Sequence, residues 1–291
     1  MGNFSRTFLT RTATAVVFVA IMLVGLLLNR YAFLGLFVLI AAGCLIEYQR
    51  LSDLLRRQFS GERLVSKNNP VHRIAMWLGV MGILLMGLGE ALSSHIFRMD
   101  AVGLDALMLS FVLIPLSDLF VGRFHFVSVL LSLIGCLYVG LAPALMIYFR
   151  WQQLHASLQW LPVIIIGCVW INDTMAYLIG SWLGKHKLWP AVSPGKTWEG
   201  TLGGVICTVL LSWVAAGIWP VFRKVDWMMV AALVSVFGTL GDLLESRLKR
   251  MAGVKDSGHL MPGHGGLLDR FDSLLVATPV VWIYVRIWML S

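Results

Sequence analysis

Charge is what this chain of 291 residues has least of. Asp, Glu, Lys and Arg together make up 13% of it, against 58% hydrophobic residues, and the mean hydropathy is +0.82. So few polar side chains cannot coat a water-soluble fold of this size, which excludes a soluble globular protein and leaves a polytopic membrane protein. Cysteine is scarce as well. Cys44, Cys136, Cys168 and Cys207 all lie inside apolar runs with no C-x-x-C spacing, so they read as small hydrophobic residues, neither a disulfide framework nor a metal site. The chain has no low-complexity linker, no internal repeat and no Ser-His-Asp arrangement for nucleophilic catalysis. Residues 13–28 lack a small-residue cleavage site and further apolar stretches follow, so they are expected to stay as a first span and not to be removed as a signal peptide.

Nine apolar stretches have the length of about 17–25 residues that the hydrocarbon core demands. They run over 13–29, 31–48, 75–94, 103–122, 125–148, 158–183, 200–219, 226–246 and 271–290, the first two joined tightly at Asn29-Arg30 as a hairpin. The expected fold class is therefore all-α, a polytopic membrane protein of about nine transmembrane helices with a polar site at the cytoplasmic face. Residues 1–157 form N-terminal transmembrane helices with a basic cytoplasmic loop, and 158–291 a C-terminal transmembrane catalytic region. With the N-terminus inside, most Lys and Arg fall on the cytoplasmic side. The net charge of +8 then faces anionic lipid, and no nucleic-acid partner is called for. The expected orientation puts the N-terminus and the polar site on the cytoplasmic side. The loop after the second stretch is a positive-inside anchor, where Leu51, Leu54, Leu55 and Phe59 with Arg56 and Arg57 suggest a short interfacial helix. Glu90 and Asp118 lie near the ends of their spans and receive no role.

The scarce charge is concentrated in residues 241–273, GDLLESRLKRMAGVKDSGHLMPGHGGLLDRFDS. On a helix, Asp242, Glu245 or Ser246, and Lys249 share one stripe, placing carboxylates within two turns of a lysine. The glycines at 253, 258, 263, 265 and 266 free the backbone for tight conformations and close approach to a ligand. Asp269 and Asp272 open the next apolar segment as an i, i+3 pair. Carboxylate oxygens suit Mg²⁺, which takes one or two of them together with substrate phosphates. Lys and Arg supply phosphate-binding charge. The stretch is read as the floor of a site for phosphates and a divalent metal.

A second polar cluster follows the sixth stretch, in INDTMAYLIGSWLGKHKLWPAVSPGKTWEGTLGG. Asp173 lies too deep in apolar sequence for easy escape to the interface, and an acid there faces protein interior or water. Ala176, Gly180 and Gly184, one turn apart, allow a neighbouring helix to pack closely. Lys185, Lys187, Ser193, Gly195, Lys196 and Thr197 make a cationic, hydroxyl-bearing loop. The run Ser193-Pro194-Gly195-Lys196-Thr197 lacks the G-x-x-x-x-G-K spacing and a preceding strand, which excludes a Walker nucleotide loop. The two clusters are expected on the same side of the membrane, as two walls of one site.

The first cluster resembles the signature of the phosphatidate cytidylyltransferases (CDP-diacylglycerol synthases), S-x-x-K-R-x4-K-D-x-G-x-x-hydrophobic-P-x-H-G-G-x-x-D-R-x-D. The matching residues are Ser246, Lys249, Arg250, Lys255, Asp256, Gly258, Pro262, His264, Gly265, Gly266, Asp269, Arg270 and Asp272, with Met261 at the hydrophobic position. The same family carries D-[ST]-x-A-Y followed by S-P-x-K-T-x-E-G, matched here by Asp173, Thr174, Ala176 and Tyr177, then Ser193, Pro194, Lys196, Thr197, Glu199 and Gly200. The resemblance covers roughly residues 170–275, and the N-terminal half is similar only in being hydrophobic.

The resemblance implies transfer of a cytidylyl group from CTP to phosphatidic acid, or a related lipid phosphate, giving CDP-diacylglycerol and pyrophosphate in phospholipid biosynthesis. It implies Mg²⁺, with a second metal ion left open, at Asp242 and Asp269 first, then Asp256 and Asp173. Lys249, Arg250, Lys255, Lys196 and Arg270 would clamp phosphates, and Ser193 and Thr197 would hydrogen-bond them. His264 would do the same or orient a carboxylate. Ser246, Gly265 and Gly266 are expected at bound substrate, while Glu245, Glu199 and Asp272 would support the ligands. The partners are then the two substrates and membrane lipid, with a homo-oligomer left open.

Other readings stay on the table at this point. The same chemistry on another lipid phosphate fits every residue named. A CTP-dependent polyprenol kinase is a near rival. An ion-coupled transporter would use Asp118, Asp173 and Asp242 as an ion path, yet the densest charge sits in loops beside glycines. The D-G-x-x-A-R-x8-G-x3-D-x3-D pattern of CDP-alcohol phosphotransferases is absent.

Overall fold

The computed structural model describes residues 2–59, 70–89, 98–120, 125–258 and 265–290, with the side chains of 2–11, 13 and 59 left aside. Nine long helices account for nearly all of it. They are α1 (Gly2–Leu27), α2 (Arg30–Phe59), α3 (Pro70–Gly87), α4 (Met99–Phe120) and α5 (Phe126–Trp151), then α6 (Leu161–Leu183), α7 (Trp198–Ile218), α8 (Lys224–Met251) and α9 (Leu268–Tyr284). Eight of these are long and apolar enough to cross a membrane, and α1 carries a shorter apolar stretch, Thr14–Leu27. Large apolar side chains such as Leu39, Val112 and Leu210 point outward, more than half exposed. A surface of that kind suits hydrocarbon, where a helix satisfies its own backbone hydrogen bonds. The protein is an integral membrane protein of the expected all-α class.

The helices fall into two compact units. The first comprises Met1–Trp151 and Met251–Phe271. Within it α3 packs against α4 and α5, and α2 against α1 and α5. Between α3 and α4 the approach is set by paired glycines: a Cβ on Gly103 would fall 2.5 Å from the carbonyl oxygen of Gly82, and one on Gly82 would fall 2.5 Å from that of Gly103.

Two features of this unit differ from the sequence reading. First, α2 runs unbroken to Phe59, where a span followed by a separate interfacial helix was expected. No glycine or proline interrupts 44–59, and Leu51 and Leu55 continue the buried stripe of Phe37, Ala41 and Tyr48, so the helix is held to its end by packing. Second, the fold does assemble a Ser-His-Asp set. His72 Nδ1 lies 3.0 Å from Ser132 Oγ and its Nε2 3.0 Å from Asp118 Oδ1. Arg56 donates to Ser132 Oγ at 2.6 Å, and the His125 backbone N–H donates to Asp118 Oδ2 at 3.3 Å. Ser132 and His72 are fully buried, so no substrate reaches the hydroxyl. The network instead ties α2, α3, α4 and α5 together, each polar group finding a partner that the apolar surroundings withhold.

The second unit comprises Gln152–Arg250 and Asp272–Ser291. A short 3₁₀ turn (Ala156–Trp160) leads into α6, which packs along α7. Small residues set this contact, as the sequence predicts: a Cβ on Gly200 would fall 2.6 Å from the Ala176 carbonyl oxygen and 2.9 Å from Gly180 Cα. Between α6 and α7 stands an antiparallel hairpin, β1 (Lys187–Trp189) and β2 (Ser193–Thr197), pairing Lys187 with Thr197 and Trp189 with Ser193. The side chain of Thr197 caps α7 by accepting the Gly200 N–H at 3.1 Å. α8 and α9 run antiparallel, with Tyr284 donating to Asp226 at 2.8 Å near one end and Gly241 against the Asp272 carbonyl near the other.

Replacing Gly103 by Leu overpacks the α3–α4 contact and should cost about 1–3 kcal/mol. Gly167, whose Cβ would meet nothing within 4 Å, is the control, and Gly167→Leu should stay within about 0.5 kcal/mol. Melting of the purified protein in detergent distinguishes the two.

Candidate active site

In the second unit the last three turns of α8 carry the stripe predicted from spacing. Ser246 donates to Asp242 Oδ1 at 3.2 Å, and Lys249 Nζ lies 2.7 Å from Glu245 Oε2, each an i, i+4 contact. Glu245 is wholly buried, and Ser246 and Lys249 are buried beside it. The hairpin reaches this stripe twice. Lys196 on β2 pairs with Asp242 Oδ2 at 2.6 Å, and Arg250 Nε donates to the Val192 carbonyl at 3.4 Å. Asp272, on α9, brings a third acid: oxygens of Asp242, Glu245 and Asp272 lie within 4.8 Å of one another. Glu245 and Asp272, expected only as supporting groups, are thus members of the acidic cluster.

The donor set fits a hard divalent cation. Oxygens bound at roughly 2.0–2.6 Å around one ion sit within about twice that of each other, the spread found here.

The hairpin is held in shape by Glu199, which accepts the backbone N–H groups of Lys185 at 3.1 Å and His186 at 3.2 Å and pairs with His186 Nδ1 at 2.6 Å. Ser193 and Thr197 both lie on β2, and Thr197 is buried as the cap of α7. Asp173, on α6, is exposed and stands outside the three-acid group.

In the first unit the described residues between α8 and α9, 252–258 and 265–267, form a loop shaped by glycine. Gly253 and Gly265 take φ of +69° and +82°, a region only glycine enters cheaply. Asp269 serves this loop: its carboxylate accepts the Gly266 N–H at 2.8 Å and the Ser257 N–H at 3.2 Å. One of the two carboxylates first expected on a metal is therefore turned to loop amides, while the other, Asp242, stands in the acidic cluster. Asp256 and Lys255 are exposed on the same loop, as is Arg270 at the start of α9. His264 falls in 259–264, outside the described residues, as do Met261 and Pro262.

One residue of this unit had no motif to announce it. Glu47 on α2 is 3% exposed, and its Oε2 accepts both the Ser257 hydroxyl at 2.9 Å and the Leu268 N–H at 2.8 Å. The signal available in sequence was a lone acid at the end of the apolar run LIAAGCLIEYQR, which the resemblance does not cover.

Lys249→Met would leave the Glu245 carboxylate buried without its lysine, a change expected to cost about 3–5 kcal/mol. Combining it with Glu245→Leu should recover most of that stability, which thermal melts of the single and double variants would reveal.

Comparison with known proteins shows the family. The sequence profile of the family described as "Cytidylyltransferase family" matches residues 9–288. The chain is 39% identical over 206 residues to a phosphatidate cytidylyltransferase of Staphylococcus saprophyticus, covering 70% of this chain and 76% of that protein. It is 42% identical over 175 residues to the phosphatidate cytidylyltransferase of Staphylococcus haemolyticus, and 41% identical over 175 residues to one of Staphylococcus aureus. Each of these two matches covers 60% of this chain and 65% of the relative. With a match running almost from end to end, this membrane protein belongs to the cytidylyltransferase family.

Proposed function

We propose that this protein transfers the cytidylyl group of CTP to phosphatidate, giving CDP-diacylglycerol and pyrophosphate in phospholipid biosynthesis. The observation that carries the reading is the group Asp242, Glu245 and Asp272 with Lys196 and Lys249 paired into it. The curated relatives are named for this activity.

A phosphate oxygen of the lipid forms a new bond to the α-phosphorus of CTP, and the bond from that phosphorus to the bridging oxygen of the pyrophosphate breaks. The attacking group is already ionised at neutral pH, its second pKa being about 6, so no nucleophilic side chain is needed. What the reaction needs is in-line placement of two anions and neutralisation of the charge on the leaving pyrophosphate. Asp242, Glu245 and Asp272 would hold Mg²⁺, and when bound it supplies electrostatic stabilisation of the transferring and leaving phosphates, with a second ion able to share the task. Lys196 and Lys249, already at that cluster, bring positive charge to the phosphates. Lys255, Arg250 and Arg270 are assigned to substrate phosphates by resemblance, and Ser246 orients Asp242. Asp173, outside the cluster, is the weakest of the metal assignments. The basic bias of the loops supports an inner-membrane protein with its N-terminus and site in the cytoplasm, where CTP is.

A second reading, the same transfer to a different lipid phosphate, would use the same acids and lysines, since these groups address phosphate and metal whatever the lipid.

Purified protein given labelled CTP, Mg²⁺ and a panel of lipid phosphates should form CDP-diacylglycerol from phosphatidate. Chelation should stop turnover and Mg²⁺ restore it. Asp242→Asn, Glu245→Gln and Asp272→Asn should each lower kcat by roughly 10²–10³-fold while the protein stays folded. Near-normal turnover of Asp242→Asn would sink the metal assignment, and preference for another lipid phosphate would decide for the second reading.

A further inference from the structure

We infer that Glu47 is a positioning residue that holds the described parts of the loop preceding α9, residues 255–258 and 265–268, and with them the placement of Lys255 and Asp256. The inference rests on the cytidylyl-transfer reading for what the loop does, though not for how the loop is held.

Glu47 lies on α2, some 210 residues before the loop it touches. An acid buried in an apolar helix bundle is costly unless its oxygens are hydrogen-bonded. Here Oε2 takes two donors from opposite ends of the loop: Ser257 Oγ–H, after Asp256, and Leu268 N–H, in the first turn of α9. The Leu268 N–H is one of the donors a helix start leaves without an intrahelical partner, so the acid caps α9 from another helix.

Ser257 then links two carboxylates. Its hydroxyl goes to Glu47 and its backbone N–H to Asp269. Asp269 in turn holds Gly266. The loop residues are cut to fit: a Cβ on Gly258 would collide with Glu47 Oε1, and one on Gly266 with Ser257 Oγ and Glu47 Oε2. Two glycines and a serine therefore let the loop close on the acid. Beneath this clasp, a cavity of about 210 Å³ is lined by Arg50 and Leu54 of α2 and by Lys255 and Asp256 of the loop. The clasp fixes the distance between the two walls, and so where the loop's lysine and aspartate stand.

Oε1 meets no hydrogen-bond donor among the described residues. This makes glutamine a clean probe, because its amide nitrogen can occupy the Oε1 place while its oxygen keeps both donors. Glu47→Gln should retain kcat/KM within about threefold. Glu47→Leu, which removes the acceptor for both hydrogen bonds, should lower kcat/KM about 10–30-fold and speed tryptic cleavage after Lys255 by a similar factor. Other cleavage sites should hardly move. Should Glu47→Leu not fold, Ser257→Ala removes one of the two donors and should speed cleavage after Lys255 about fivefold.

Wild-type kcat/KM and cleavage rate in Glu47→Leu would overturn the inference, and so would Glu47→Gln being as impaired as Glu47→Leu. If the wild-type protein transfers no cytidylyl group to any lipid phosphate, the functional reading fails, but the cleavage rates still decide the role of Glu47.

Discussion

Charge in an apolar bundle has to be paired, and the second unit is arranged around that requirement. Lys196 on Asp242 and Lys249 on Glu245, at 2.6 and 2.7 Å, gain Coulomb energy of about 4 kcal/mol for unit charges at 4 Å in a medium of intermediate polarity. Desolvation removes several kcal/mol per ion, so such pairs are weak stabilisers. An apolar core of the same shape would serve stability as well. Stability alone therefore does not account for the cluster, and the proposed metal-binding role gives its acids a use.

The same requirement shapes the first unit, with hydrogen bonds in place of ion pairs. Ser257 joins Glu47 to Asp269, each acid also accepts a loop or helix-start amide, and His72, Ser132, Asp118 and Arg56 bond to one another among four helices. Each network joins segments far apart in sequence. Non-directional apolar contact lets helices slide and rotate against one another, whereas a buried hydrogen bond is satisfied in one register only. Glycine pairs such as Gly82 and Gly103 allow the close approach, and the polar networks fix the register at which it happens.

How much of this could be read from the sequence depended on how local the cause was. Helix class and eight of the nine expected spans follow from apolar length, a property of each segment alone, while the first span is present as the shorter apolar stretch Thr14–Leu27. The pairs Asp242–Ser246 and Glu245–Lys249 follow from i, i+4 spacing, and the close packing of α6 on α7 from Ala176, Gly180 and Gly184. What failed to show was contact at a distance. Asp269 and Asp272 looked equivalent on spacing, yet Asp269 is turned to loop amides and Asp272 to the acidic cluster. Glu47 and the His72 network join residues 46 to 221 positions apart, and no periodicity encodes such a pairing. The continuity of α2 was missed for another reason: its polar residues after Tyr48 look interfacial one by one, while its buried stripe is visible only once the neighbouring helices are known.

The membership of the acidic cluster comes down to one missing side chain. α8 alone can present Asp242 and Glu245, because they lie on its own stripe. The third acid is on α9, and helix axes normally stay about 8–10 Å apart because side chains stand between them. At Gly241 nothing stands between them: a Cβ there would fall 2.5 Å from the Asp272 carbonyl oxygen and 3.1 Å from the side chain of Val276. The glycine admits the backbone of α9 at the residue whose carboxylate completes the group. Gly238, one turn earlier, repeats the arrangement more loosely against Ser273 at 3.4 Å, so the two helices converge toward the charged end. A glycine inside a helix costs about 1 kcal/mol relative to alanine. In α8 that cost goes with bringing a third carboxyl group beside two others, at a point where Lys196 and Lys249 already stand.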